Sequence, residues 1–154
     1  MYLYLVRHGI AKSKQEDPEQ HLTKTGLQEV RKVAEFIKSA DLHVGSIWHS
    51  GKARAAQTAK VFSSVMEIEK GLIQRDGLAP NDPIKPVQKE IDRFPKNLMI
   101  VGHLPFLSKL ASKLLTDDES TEVISFPNSG VVCLECVSAG AWKLAWMINP
   151  QLLA

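Results

Sequence analysis

Two arginines and two histidines in this sequence have the types to act together. Arg7 and His8 stand in Val6-Arg7-His8-Gly9, Arg54 in Lys52-Ala53-Arg54-Ala55, and His103 in Val101-Gly102-His103-Leu104. Guanidinium forks match the oxygens of a phosphoryl group and stay charged at every relevant pH. An imidazole with one unprotonated nitrogen is a competent nucleophile toward the phosphorus that such forks hold. The chemistry open to this set is therefore capture of a small polyanion and transfer of its phosphoryl group to an imidazole. The surrounding cations would hold the group in line and offset charge on its oxygens during transfer. Water would then resolve a phosphohistidine on the protein itself. A metal centre is the competing use of two histidines. Adjacent arginines would repel the ion, and no spaced Asp, Glu or Cys completes a ligand set, so neither metal nor cofactor is expected.

Whether the four residues meet depends on the elements that carry them. Tyr2-Leu3-Tyr4-Leu5-Val6 is an unbroken apolar, β-prone run, the signature of a strand buried on both faces. Arg7 and His8 follow at its carboxyl end, and Gly9 lets the chain turn there. Alone, this trio reads equally well as a solvated strand end with a capping arginine. A polar loop over 10–21 leads to a helix that opens at Leu22-Thr23-Lys24-Thr25-Gly26, with Thr23 as N-cap, and runs to about Ser39. A turn over 41–45 precedes a short strand at 46–50. A helix from Ala53 then carries Arg54 in its first turn, with Val61, Phe62 and Val65 on its apolar side. A cation at a helix N-terminus opposes the macrodipole unless an anion is held there. Exposed arginines are common, so Arg54 by itself is ambiguous.

Residues 67–83 read as irregular, with a short strand at Leu72-Ile73 and breaks at Gly71, Gly77, Pro80 and Pro83. A short helix is expected over 84–94 and a strand over 97–101, which stops at Gly102-His103-Leu104-Pro105. Pro105 marks the start of a strongly amphipathic helix carrying Phe106, Leu107, Leu110, Ala111, Leu114 and Leu115. Strands are then expected at 123–126, 130–137 and 142–148. Alternating strands and helices imply an α/β fold of three layers, a mostly parallel sheet with helices on both faces, closed by a C-terminal antiparallel β pair. In a parallel sheet the three strand ends emerge on one edge. Coincidence explains one such histidine more easily than four cationic or protonatable groups at three strand ends.

With 154 residues, 44% hydrophobic and 23% charged, the chain fits a single domain spanning 1–154. A net charge of +2 is too small for a nucleic-acid or membrane surface. No leader and no apolar run of membrane-spanning length is visible, so a cytoplasmic location is expected. Cys133 and Cys136 lie within one strand on opposite faces and should not pair. Trp48, Trp142 and Trp146 read as core or sheet-covering aromatics. His49 reads as a hydrogen-bonded packing residue, and His21, His43, Lys12 and Lys14 as surface groups.

Four segments together resemble one family. Leu5-Val6-Arg7-His8-Gly9, the Leu22-Thr23-x-x-Gly26 helix start, Ser50-x-x-x-Arg54-Ala55-x-Gln57-Thr58-Ala59 and Val101-Gly102-His103 are similar to the histidine phosphatase superfamily, which includes the phosphoglycerate mutases. The short chain, the direct Gly102-His103-Leu104-Pro105 step and Asn128-Ser129-Gly130 resemble most closely the SixA-type phosphohistidine phosphatases. The resemblance spans essentially the whole chain. It implies a phosphoglycerate mutase-like fold, with His8 as nucleophile and with Arg7, Arg54 and His103 binding the phosphoryl group.

Larger members of that family carry a carboxylic acid that protonates the leaving oxygen. The equivalent stretch here is Gly77-Leu78-Ala79-Pro80-Asn81-Asp82-Pro83, with no glutamate in the expected place. Asp82 is the candidate substitute, although a Pro-Asn-Asp-Pro turn accounts for it without chemistry. An alkoxide leaving group needs protonation, whereas an imidazole leaving from phosphorus needs less help. The interval 51–96 is also too short to build a lid, which suits a histidine displayed on another protein. The expected substrate is thus a phosphohistidine-containing protein. The alternatives are a phosphomonoesterase for a small metabolite or nucleotide, or a phosphate- or phosphoprotein-binding module without turnover.

Overall fold

In the computed structural model, which describes residues 1–154, the first apolar run is strand β1 (Tyr2–Arg7), and Leu3, Leu5 and Val6 are fully buried. It is followed by α1 (Lys24–Lys38), β2 (His43–Val44), β3 (Ser46–His49), α2 (Ala53–Ser63), β4 (Glu67–Ile68) and β5 (Leu72–Gln74). The second half comprises α3 (Lys85–Arg93), β6 (Leu98–Gly102), α4 (Phe106–Thr116), β7 (Val131–Ser138), β8 (Ala141–Ile148) and a closing 3-10 turn at Pro150–Leu152. Six strands form one sheet in the order β5-β3-β6-β1-β7-β8. The first four run parallel; β7 returns antiparallel to β1, and β8 antiparallel to β7. This is the expected mostly parallel sheet with its antiparallel pair.

Alternate residues of the central strands feed two cores. Leu3, Leu5, Leu98 and Ile100 face α3 and α4, where Val87, Ile91, Phe106, Leu107 and Leu110 complete one layer. Tyr4, Val6, Met99 and Val101 face α1 and α2, against Val30, Val33, Ala59 and Phe62. Each fully buried aliphatic side chain contributes roughly 1.5–3 kcal/mol of transfer free energy, so both faces hold the sheet rigid at the edge where its strands end. Cys133 belongs to the second core and Cys136 packs against the first, which keeps their sulfurs on opposite faces.

Two local expectations need correction. Residues 123–126 form no strand. Ile124 and Phe126 are buried and Val123 and Ser125 exposed, a half-buried strand pattern, but the segment pairs with no strand of either sheet. The segment is coil, and Ile124 and Phe126 pack into the core on the α3/α4 side. The turn 41–45 and the irregular 67–83 stretch instead contribute a small two-stranded parallel sheet, β2 with β4. Two-residue strands are too short for periodicity to reveal. Pro105 stands at the N-cap of α4, at the helix start as expected.

Candidate active site

Strand register brings the histidines together. Arg7 of β1 stands opposite Gly102 of β6, so His8 and His103 are the next residues out on adjacent parallel strands. The His8 N–H donates to the Gly102 carbonyl at 3.0 Å, extending the ladder one step past the strands. Their rings lie 5.0 Å apart, centroid to centroid, at an interplanar angle of 51°. On the other side of β6, His49 of β3 stands opposite Val101, which carries Ser50 to the same edge. Ser50 Oγ lies 2.6 Å from His103 Nε2. The third strand end thus reaches the site through Ser50, and α2, starting at Ala53, brings Arg54 in its first turn.

Close backbone packing fixes the Arg7-His8-Gly9 turn. A β-carbon on Gly9 would stand 2.6 Å from Val30 Cγ2 of α1, and one on Gly26 would stand 2.1 Å from the Ile10 carbonyl oxygen. Thr23 caps α1 by accepting from the Gly26 N–H at 2.9 Å, while its own N–H donates to Ile10 at 2.9 Å. The glycine and threonine of the Leu-Thr-x-x-Gly segment therefore dock α1 onto the residue after Gly9. From α2, Thr58 Oγ1 accepts the Gly9 N–H at 3.1 Å and donates to the Arg54 carbonyl at 2.8 Å. One buried hydroxyl ties the Arg7-His8-Gly9 turn to the turn that carries Arg54.

A second brace comes from 126–130. Asn128 Nδ2 donates to the His8 carbonyl at 3.2 Å, and the Ser129 N–H is shared between the Arg7 and His8 carbonyls at 3.1 and 3.2 Å. Ser129 adopts φ 62°, backbone strain held in place by these bonds. Arg7 Nη1 donates to the Phe126 carbonyl at 2.8 Å, which aims the guanidinium, while its buried Nε has no protein partner.

The electrostatics favour neutral imidazoles. Burial pushes the His8 pKa down to about 4, with Arg54 and Arg7 adding to the fall and the Gly9 carbonyl opposing it. The His103 pKa falls to about 3, chiefly by burial, with His8, Arg54 and Lys52 contributing. Burial also lowers both arginine pKa values, yet guanidinium remains charged at neutral pH. His8 Nδ1 lies 2.7 Å from the Gly9 carbonyl oxygen, which can only accept. The proton of the neutral ring is therefore on Nδ1, and Nε2 carries the free lone pair. Such a site can accept a phosphoryl group on His8 Nε2 with cations around it.

His8, Arg7 and His103 are thus brought together by the strand ends. Arg54 lines an adjoining cavity of about 400 Å³ with Lys14, Gln20 and Lys52. Asp82 is turned to structural use: its Oδ2 accepts the Ala79 N–H at 2.9 Å and its own N–H donates to the Ala79 carbonyl at 3.1 Å. His49 Nδ1 accepts from Gly51, the expected packing role. His21 is paired with Asp17 at 2.7 Å in the 10–21 loop, and His43 lies with Glu67 at 2.8 Å on the surface. Sequence reasoning assigned no role to Thr58, Ser50, Asn128 or Lys52. The first three lie inside the segments that carry the family resemblance, which was the available signal.

Fold and strand-end geometry together define an α/β protein that gathers imidazoles and guanidinium groups at the carboxyl edge of a parallel sheet. The family model "histidine phosphatase superfamily (branch 1)" matches residues 3–79, half of the chain, including the Arg7-His8 and Arg54 segments. The chain belongs to the histidine phosphatase superfamily. No curated protein matches it in sequence. Among solved structures, the protein histidine phosphatase SixA complexed with tungstate aligns with a TM-score of 0.85 at 20% identity, over 98% of each chain. A protein assigned as the phosphohistidine phosphatase SixA of Agrobacterium tumefaciens aligns at 0.77 and 21% identity, over 96% of this chain and 97% of that one. A phosphoserine phosphatase mutant from Entamoeba histolytica in complex with phosphoserine aligns at 0.70 and 20%, over 99% of each. At these identities the likeness is one of fold, and it bears out the phosphoglycerate mutase-like architecture. No helix is long and apolar enough to cross a membrane.

Proposed function

We propose that this phosphatase hydrolyses phosphohistidine on a partner protein, in the cytoplasm, through a phosphohistidine on His8. The observation that carries the mechanism is the His8 Nδ1–Gly9 carbonyl contact of 2.7 Å, which leaves Nε2 as the nucleophilic atom. The lone pair of Nε2 attacks phosphorus and forms a P–N bond. The bond to the substrate imidazole breaks, its electron pair returning to that nitrogen, and the partner histidine leaves neutral if it entered protonated. Water then attacks the phosphorylated His8, releasing inorganic phosphate and restoring the neutral ring. Arg7 and Arg54 bind the phosphoryl oxygens and offset their charge in both steps, and His103 contributes a hydrogen bond. No metal or cofactor enters this scheme.

The P–N substrate is supported by the state of Asp82. Its carboxylate is engaged by the Ala79 amide, an arrangement that suits a turn better than a proton donor. The likeness to SixA structures points the same way. Hydrolysis of a small phosphomonoester is the second reading, favoured by the likeness to a phosphoserine phosphatase. Phosphate release from a phosphohistidine protein and from ordinary phosphomonoesters, compared without added metal, separates the two. Preference for the P–N substrate is expected; preference for esters would replace the first reading with the second.

A further inference from the structure

We propose that Ser50 is a positioning residue that donates its hydroxyl proton to His103 Nε2 and so holds His103 as a neutral Nδ1–H donor for the phosphoryl group. Ser50 Oγ and His103 Nε2 are 2.6 Å apart, the shortest contact either side chain makes. The other partner of Ser50 leaves its hydroxyl hydrogen free to donate along this contact. The Lys52 N–H donates to the same oxygen at 3.3 Å, which uses one of its lone pairs. The hydroxyl hydrogen then has one protein acceptor within reach, His103 Nε2. If the ring donated instead, that hydrogen would have no protein acceptor, and Nδ1 would hold a bare lone pair.

The difference matters because His103 is only 1% exposed and its buried Nδ1 has no hydrogen-bond partner in the protein. A bare lone pair there would repel a phosphoryl oxygen, whereas an N–H attracts it. The two imidazoles of the site thus share the Nδ1–H tautomer for opposite reasons. His8 is held by an acceptor, the Gly9 carbonyl, and His103 by a donor, the Ser50 hydroxyl. One ring offers a lone pair and the other a proton, without either being charged. Register supports the pairing, since His49 is level with Val101, and Ser50 and His103 follow one and two residues beyond that pair. The chain then turns at Gly51, with φ 86°, into α2.

The tautomer assignment stands on geometry; only its kinetic consequence rests on the phosphatase reading above. Long-range proton–nitrogen spectra of protein labelled with ¹⁵N-histidine read the tautomers directly, with His103 identified by its absence in His103→Gln. At neutral pH, wild-type His103 is expected to carry its proton on Nδ1. In Ser50→Ala, Nε2 of His103 should gain proton occupancy while His8 keeps its pattern. Turnover of a phosphohistidine protein by that variant should fall about tenfold, mainly in kcat, with Ser50→Thr recovering both signals. A wild-type His103 protonated on Nε2 would overturn the proposal even if Ser50→Ala failed to fold. So would a folded Ser50→Ala with unaltered spectrum and rate. The expected tautomers without phosphatase turnover would uphold the Ser50 assignment and overturn the phosphatase reading instead.

Discussion

His8 and His103 occupy matched positions one residue beyond the paired ends of β1 and β6, with their rings 5.0 Å apart. Two imidazoles so close, among arginines and largely out of water, cannot both be protonated without mutual repulsion. Burial first, and nearby charge second, push both pKa values down, to about 4 for His8, where Arg54 and Arg7 contribute, and to about 3 for His103, where His8, Arg54 and Lys52 contribute.

The first prediction concerns pH. The acid limb of kcat/KM should lie near pH 4, not near the ordinary histidine value, because His8 keeps its lone pair down to its own pKa of about 4. Stability should follow the same linkage. Folded-state values are depressed, so between about 6.5 and 4 the unfolded chain binds more protons than the folded one. The stabilisation is complete above the unfolded value and is lost as pH falls through the folded ones. Urea midpoints measured from neutral pH to about pH 4.5 should fall, and fall less steeply in His103→Gln. A midpoint rising on acidification would contradict the assignment.

A second prediction concerns the hydroxyl that joins the two halves of the site. Thr58 is fully buried and gives the Gly9 N–H its acceptor. Thr58→Val keeps the shape and removes the oxygen, leaving a buried donor unpaired at a cost of about 1–3 kcal/mol. Chemical denaturation should register that loss, and kcat should fall with it because Gly9 adjoins His8. Wild-type stability in Thr58→Val would show that the bond contributes nothing.

Thr58 also shows what the sequence could and could not disclose. The strand ends were legible because apolar runs stop abruptly at Arg7-His8 and Gly102-His103, Arg54 lies just past the strand at 46–50, and parallel strands must end on one edge. Residues that act through backbone contacts gave no such signal. Thr58 is an ordinary helix residue until Gly9 is placed beside it, and Gly26 is a helix defect until the Ile10 carbonyl is seen where its β-carbon would be. Residues 123–126 alternate like a strand because they cover a core, but pairing depends on a free sheet edge, which no local pattern encodes. The same coil supplies the Phe126 carbonyl that orients Arg7.

The third prediction concerns Asp82. Asp82→Asn retains an oxygen for the Ala79 N–H, so the turn should survive. Release of phosphate from a phosphohistidine protein should change less than about twofold, since an imidazole that enters protonated leaves without further help from an acid. A drop of tenfold or more with a folded protein would make Asp82 the proton donor and favour an ester substrate.

The most direct measurement traps the intermediate. Protein mixed rapidly with a radiolabelled phosphohistidine protein and quenched in alkali should carry label on His8 before phosphate appears. His8→Ala should take up none and turn over at least about a thousandfold more slowly, while still binding tungstate through Arg7, Arg54 and His103. Turnover with no label on His8, or unchanged turnover in His8→Ala, would contradict covalent catalysis at the end of β1.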